Sequence, residues 1–256
     1  MFDYEKAYST LTLKHIAIPC ERLPKAFEGY CIAQISDMHL GRRTPLNALK
    51  ELVESLNAQN IDLIAITGDV FDTKAKRLKA HLDILKTLRA PVYFVSGNHD
   101  LSHERLHLKE RIQELGFTFF DNRYTRLHKE GSFIQLLGLG DAYSRFFRIK
   151  RHEEALFKMV DKEHFSLLLA HQPKDIVYAS THGIDFQLSG HTHAGQIAPF
   201  EKVVRWFQPY LYGLHQHHKT WIYVTSGYGC WGINWRVKTR SEIAIITLHR
   251  SAHESH

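Results

Sequence analysis

The sequence predicts an α/β fold in which parallel strands carry helices on their faces, and three observations lead there. Apolar, β-rich runs alternate with helical stripes in the order βαβαβα across residues 30–116. Several of the apolar runs stop abruptly at Asp, Asn or His, which gathers polar groups at strand ends. The 256 residues are 44% hydrophobic and 23% charged, enough for a substantial core and unlike a disordered chain. In sheets of this type ligands sit outside the carboxyl ends of the strands. Residues 1–256 read as one domain, with a poorly ordered tail expected from about residue 250.

Taken in order, Leu11, Leu13, His15, Ile16 and Ile18 form a short edge strand closed by Pro19. Tyr30 to Ser36 is a buried strand that runs into Asp37-Met38-His39-Leu40-Gly41. Thr44 is positioned to cap a helix with Pro45 at its first helical position, and Leu49, Leu52, Val53 and Leu56 share one face. The strand Leu63 to Ile66 delivers Thr67-Gly68-Asp69-Val70-Phe71-Asp72, and Leu78, Leu82, Leu85 and Leu88 mark a second helix. Val92 to Val95 ends at Ser96-Gly97-Asn98-His99-Asp100, followed by a helix through Leu108, Ile112 and Leu115 that Gly116 stops.

Phe133 to Leu139 is a further strand, and the loop after it mixes Tyr143, Phe146 and Phe147 with Arg145, Arg148, Lys150 and Arg151. A surface helix is expected over Glu153 to Val160. Phe165 to Ala170 then ends at His171-Gln172-Pro173, and Phe186 to Ser189 ends at Gly190-His191-Thr192-His193. An aromatic stretch spans Phe200 to Tyr212, and Ile222 to Ser226 and Glu242 to Leu248 supply closing strands.

A formal net charge of +6 and a pI near 9.1 favour anionic partners in general: phosphate esters, nucleic acid or an acidic membrane surface. Cys20, Cys31 and Cys230 form no paired framework, no apolar run is long enough to span a bilayer, and the N-terminus is not the basic start of a secretory signal. These features point to the cytoplasm. With nineteen histidines, one of them carries information only where its spacing is specific, and His253 and His256 in the polar tail read as solvated.

Singly, each motif has an ordinary reading as a capped turn or a surface histidine. DxH, GDxxD, GNHD, H and GHxH in this order, each after an apolar strand, point instead to one metal site. The ordered set resembles the calcineurin-like metallophosphoesterase superfamily from Tyr30 to Leu248. That resemblance implies a four-layer α-β-β-α sandwich and two divalent metal ions. Asp37, His39 and His193 would hold one ion, Asn98, His171 and His191 the other, and Asp69 would bridge them. Mixed imidazole and oxygen ligands suit Mn, Fe, Zn or Co rather than Ca. Such an ion pair can share a hydroxide and neutralise charge developing on a phosphoryl group. The resemblance makes His99 a general acid rather than a ligand, with Asp72 its orienting partner and Asp100 the rival for that role.

Asp72-Thr73-Lys74 departs from the Arg-Gly continuation of Ser/Thr protein phosphatases. Gly29-Tyr30, SDMHLG at 36–41, SGHTHAGQI at 189–197, the turn Ser226 to Gly229 and the strand from Arg240 instead resemble a bacterial phosphodiesterase subfamily related to YkuE and YaeI, with Ala194 where glycine is common. Members of that group act on envelope phosphodiesters, and some relatives cleave the pyrophosphate of UDP-diacylglucosamine. The expected reaction is therefore hydrolysis of a phosphodiester or pyrophosphate bond. Trp206, Phe207, Tyr212, Arg145 and Arg148 are candidates for the pocket wall and for peripheral contact with an anionic membrane. A nuclease or cyclic-nucleotide phosphodiesterase is the competing enzyme reading, although no nucleic-acid module is recognisable, and a non-catalytic scaffold is the reading from another class.

Overall fold

The computed structural model describes residues 4–6, 8, 11–196, 204, 206–232, 235–237 and 239–251. The expected tail beyond residue 251, with His253 and His256, lies outside them, as do Phe200 and Val203 of the aromatic stretch. Along the chain the elements are β1 (Tyr4–Lys6), β2 (Leu11–Cys20), β3 (Cys31–Ile35), α1 (Leu46–Asn57), β4 (Leu63–Thr67), α2 (Lys79–Leu85) and β5 (Val92–Val95). Next come α3 (Asn98–Glu104), α4 (Leu108–Glu114), β6 (Thr118–Phe119), β7 (Arg123–Lys129), β8 (Ser132–Leu139), α5 (Glu153–Phe157) and β9 (Ser166–Ala170). The chain closes with α6 (Ile176–Thr181), β10 (Phe186–Ser189), β11 (Gly213–His217), β12 (Thr220–Val224), β13 (Trp235–Val237) and β14 (Ser241–Arg250).

Two six-stranded sheets result, in the orders β2-β14-β3-β4-β5-β6 and β11-β12-β10-β9-β8-β7, while β1 pairs with β13. Pairing from β3 through β6 is parallel, as is pairing from β12 through β10 and β9 to β8. Strand alternation divides the apolar residues. Ile32, Leu63, Ala65 and Val95 of the first sheet meet Ile134, Leu136, Leu167, Leu169 and Leu188 of the second. Their neighbours Ala33, Ile35, Ile64, Ile66 and Phe94 face the other way, onto Leu49, Leu52 and Leu56 of α1 and onto α2 and α4. On the far side, Leu137, Leu139, Leu168 and Ala170 pack on Leu156 and Phe157 of α5 and Ala179 of α6. The layers are thus helix, sheet, sheet, helix.

Several boundaries differ from the sequence reading. Pro19 does not end its strand. As an edge strand β2 continues to Cys20, because only one of its sides needs backbone donors. Thr44 does not cap α1: its hydroxyl accepts from Gly41 N–H at 3.0 Å and the helix starts at Leu46. Leu88 lies beyond the end of α2, and α5 stops at Phe157 rather than Val160. The hairpin β7–β8 turns on Glu130 and Gly131, both at positive φ, the geometry of a tight two-residue hairpin.

Candidate metal centre

Five parallel strands drawn from both sheets end at one place. β3 leads to Asp37 and His39, β4 to Asp69 and Asp72, β5 to Asn98 and His99, β9 to His171, and β10 to His191 and His193. Asp37, His39, Asp69, His191 and His193 are five of the twelve non-glycine residues at positive φ among the described residues, a conformation disfavoured by the Cβ atom. Such concentration of backbone strain marks a site whose side chains are aimed at the cost of local stability. Glycines make the close approaches feasible. A Cβ on Gly190 would collide with Ser36 Oγ and Asp37 Oδ2, and one on Gly97 with the Asp69 carboxylate and amide nitrogen.

The side chains form two clusters. In the first, His193 Nε2 lies 3.3 Å from Asp37 Oδ1 and 2.9 Å from His39 Nε2. In the second, His171 Nε2 lies 3.3 Å from Asp69 Oδ2, 3.2 Å from Asn98 Oδ1 and 3.2 Å from His191 Nδ1. Asp69 Oδ2 is also 3.9 Å from His39 Nε2, so this carboxylate stands between the clusters. Asp37, His39 and His193 can converge on one ion, and so can Asp69, His171 and His191.

Hydrogen bonds set the tautomers. His171 Nδ1 lies 2.7 Å from the carbonyl of Thr67, which can only accept, so this nitrogen carries a proton and Nε2 faces the cluster. Asp72 likewise accepts from His39 Nδ1 at 2.8 Å and frees Nε2. Burial, reinforced by the charge of His171, drives His191 down to about 3, and burial drives His193 down to about 4, so both rings stay neutral. Burial alone would raise Asp37 and Asp69, but the neighbouring histidines outweigh it and hold both below the usual carboxylate range. His171 is pulled the other way: burial disfavours its charge, yet Asp69 raises it well above an ordinary imidazole. Anionic carboxylates beside imidazole lone pairs fit divalent transition metals, whose binding displaces such protons. Two ring nitrogens, His39 Nε2 and His193 Nε2, lie 2.9 Å apart, which agrees with that donor set.

His99 Nδ1 lies 2.7 Å from Asp72 Oδ1, the same oxygen that holds His39. Burial lowers the basicity of His99, but the Asp72 hydrogen bond and the charges of Asp69, Asp72 and Asp100 more than offset it. Asp100 does not reach the His99 ring. Its carboxylate accepts from the amides of Asp69, Val70, Phe71 and Gly97 at 2.8, 2.8, 2.9 and 2.9 Å, and so fixes the loop that carries Asp69. Burial and the charge of Asp69 push it up to about 7.

The clusters open into a cleft of about 480 Å³ lined by His39, Asp69, Asn98, His99, His191 and His193, together with Tyr143, Arg145, Phe146 and Phe207. Of the residues expected in its wall, Arg145 and Phe207 line it. Arg148 is exposed at the end of a 3-10 turn, Trp206 is 83% exposed outside the lining, and Tyr212 instead donates to Glu242 Oε2 at 2.6 Å. Sequence reasoning missed Gln172, Lys174, Gln208 and Trp231, which also line the cleft. Lys174 follows His171 by three residues, and its amide donates to Gln208 Oε1 at 2.9 Å, a tertiary contact without a local signal.

The profile of the calcineurin-like phosphoesterase family matches residues 31–195. A metallophosphoesterase of Helicobacter pylori (strain J99) is 36% identical over 245 residues, covering 92% of this chain and 63% of its own length. The metallophosphoesterase YkuE of Bacillus subtilis (strain 168) is 31% identical over 261 residues, covering 96% of this chain and 87% of its own. Among solved structures, a dimetal phosphatase from Danio rerio superposes with a TM-score of 0.52 at 11% identity, over 86% of this chain and 99% of its own. The chain therefore spans about two thirds of the Helicobacter relative, and the structural likeness concerns the fold.

Proposed function

Because this chain belongs to the calcineurin-like phosphoesterase family, we propose that it hydrolyses a phosphodiester or pyrophosphate bond at a two-metal centre. The observation that carries this reading is the pair of clusters on either side of Asp69, with His99 in the same cleft. Asp37, His39 and His193 would hold one ion and Asn98, His171 and His191 the other, with Asp69 shared. Bound Mn, Fe, Zn or Co ions would supply an activated water and neutralise charge on the phosphoryl group. The protein supplies the rest. Asp72 accepts a hydrogen bond from Nδ1–H of His99 and orients the ring, so that a proton on Nε2 can pass to the leaving oxygen. Contributions from both sheets support treating the chain as a single domain.

The substrate is an amphiphile such as a lipid-linked envelope precursor, of which UDP-diacylglucosamine is one example. Arg145 and Lys174 offer cations for phosphate oxygens, while Tyr143, Phe146, Phe207 and Trp231 offer an apolar wall. Phe146 and Phe207 are 63% and 70% exposed, and exposed aromatics beside cations suit the surface of an anionic membrane. No helix among the described residues is long and apolar enough to cross a membrane. The test is turnover by metal-loaded protein of bis-p-nitrophenyl phosphate, p-nitrophenyl phosphate, UDP-diacylglucosamine and short RNA. Cleavage of the diester and the lipid-linked diphosphate is expected. Exclusive cleavage of the monoester removes the diesterase reading, preferred cleavage of RNA favours a nuclease, and no turnover with two metals bound leaves a scaffold.

A further inference from the structure

Beside the metal centre lies a second concavity of about 390 Å³ that shares His39 with the first and is lined by Arg42, Arg43 and Arg77, with Asp72 and Thr73 between. Arg42 and Arg43 follow directly on the loop that carries Asp37 and His39, and Arg77 belongs to the 3-10 turn Ala75–Arg77 just after Asp72. The catalytic loops themselves therefore place three guanidinium groups here. Three arginines find carboxylates: Arg22 reaches Asp185, Arg111 reaches Glu114, and Arg151 reaches Asp175. Arg42, Arg43 and Arg77 make no such ion pair among the described residues. Asp72, the one carboxylate in this lining among the described residues, is already engaged by His39 and His99.

Three like charges around one hollow repel one another, and an anion entering the hollow relieves that repulsion. A guanidinium presents forked donors that match phosphate oxygens in pairs. We propose that Arg42, Arg43 and Arg77 form a second anion subsite, and hence that the substrate carries an anionic group in addition to the phosphoryl group that reacts. This rests on the phosphoesterase reading and narrows it: the substrate class is that of diphosphates and bisphosphorylated esters. One phosphoryl group sits at the metal centre and the other among the arginines. A simple diester with two neutral arms leaves the subsite empty.

Calorimetric binding of non-hydrolysable probes to the metal-loaded protein tests this without turnover. Phenylphosphonate reports the metal centre alone, and α,ω-alkylene bisphosphonates of increasing length report both positions. The best bisphosphonate is expected to bind roughly tenfold or more tightly than phenylphosphonate. In the triple variant Arg42→Gln/Arg43→Gln/Arg77→Gln the ratio of the two affinities is expected to fall toward one. These side chains are exposed, so the variant keeps the fold, which circular dichroism verifies. A ratio near one in the unmodified protein, or a ratio unchanged in the variant, overturns the subsite. Arginine-dependent binding of bisphosphonate by a protein that neither binds phenylphosphonate nor hydrolyses any ester would leave the subsite standing and remove the phosphoesterase reading.

Discussion

Asp72 holds His39: its Oδ1 atom lies 2.8 Å from His39 Nδ1, and the same atom lies 2.7 Å from His99 Nδ1. The sequence reading gave Asp72 to His99 alone and, of the two carboxylates in this motif, only Asp69 to the ions. One carboxylate oxygen joining a candidate ligand to the candidate acid removes that separation. Asp72→Ala is therefore expected to lower both metal affinity and turnover, each by about 10- to 100-fold, as is typical when the group behind a metal-bound histidine is lost. Metal titration alongside kinetics checks this, and unaltered metal affinity would show that the contact with His39 has no energetic role.

His99→Asn separates the two functions. The ring donates its Nδ1–H to Asp72 and lines the cleft, and although His99 also lies within reach of Asp69 and His39, the groups Asp37, His39, His193 and Asp69, His171, His191 are complete without it. Two bound metals with turnover reduced by about 10²- to 10⁴-fold is the expected result. Loss of one metal, measured by elemental analysis, would make His99 a ligand.

Gly190→Ala tests the packing beneath Asp37. The added methyl would overlap Ser36 Oγ and Asp37 Oδ2, both held by the β3 turn. A destabilisation of about 1–3 kcal/mol is expected, lowering Tm by a few degrees, together with weaker metal binding. An unchanged melting curve would mean that the β3 turn yields freely.

Acid stability gives a further test away from the ligands. Asp121 accepts from Ser96 N–H and Oγ–H at 2.8 and 2.6 Å, and burial pushes its carboxyl up to about 6. The folded chain therefore keeps a proton that the unfolded chain releases near pH 3.8. The stabilisation is complete below that value and disappears as pH rises through about 6. It amounts to roughly 2 kcal/mol after allowance for the partial exposure of the side chain. Asp121→Asn should flatten this part of the stability profile in denaturant titrations at pH 4 and pH 7, and a profile still sloped by the same amount would assign the dependence to other groups.

Much of this architecture was legible because the informative residues lie at ends of apolar strands. Strand ends are local features, and the runs from Tyr30 to Ser36, Leu63 to Ile66 and Phe186 to Ser189 appear as β3, β4 and β10 within a residue or two. β7 was not legible: Arg123–Lys129 is polar and exists by antiparallel pairing with β8. Asn98, read as a metal ligand in the loop after β5, begins α3, whose Asp100 carboxylate accepts from the Gly97 amide. The clefts were the least legible part. Lys174, Gln208 and Trp231 meet only through tertiary folding, and Trp206 and Tyr212, which share an aromatic stretch with Phe207, point elsewhere.

Asp37, Asp69 and Asn98 hang from one sheet, and His171, His191 and His193 from the other. The centre is accordingly a seam between two independently hydrogen-bonded slabs, and its spacing is set by whatever fills the gap between them. Ala65 and Leu167 belong to that filling, well behind the polar residues. Enlarging one or trimming the other would tilt the slabs and change the gauge of the centre, so some activity mutants of this protein will carry their lesion in hydrocarbon.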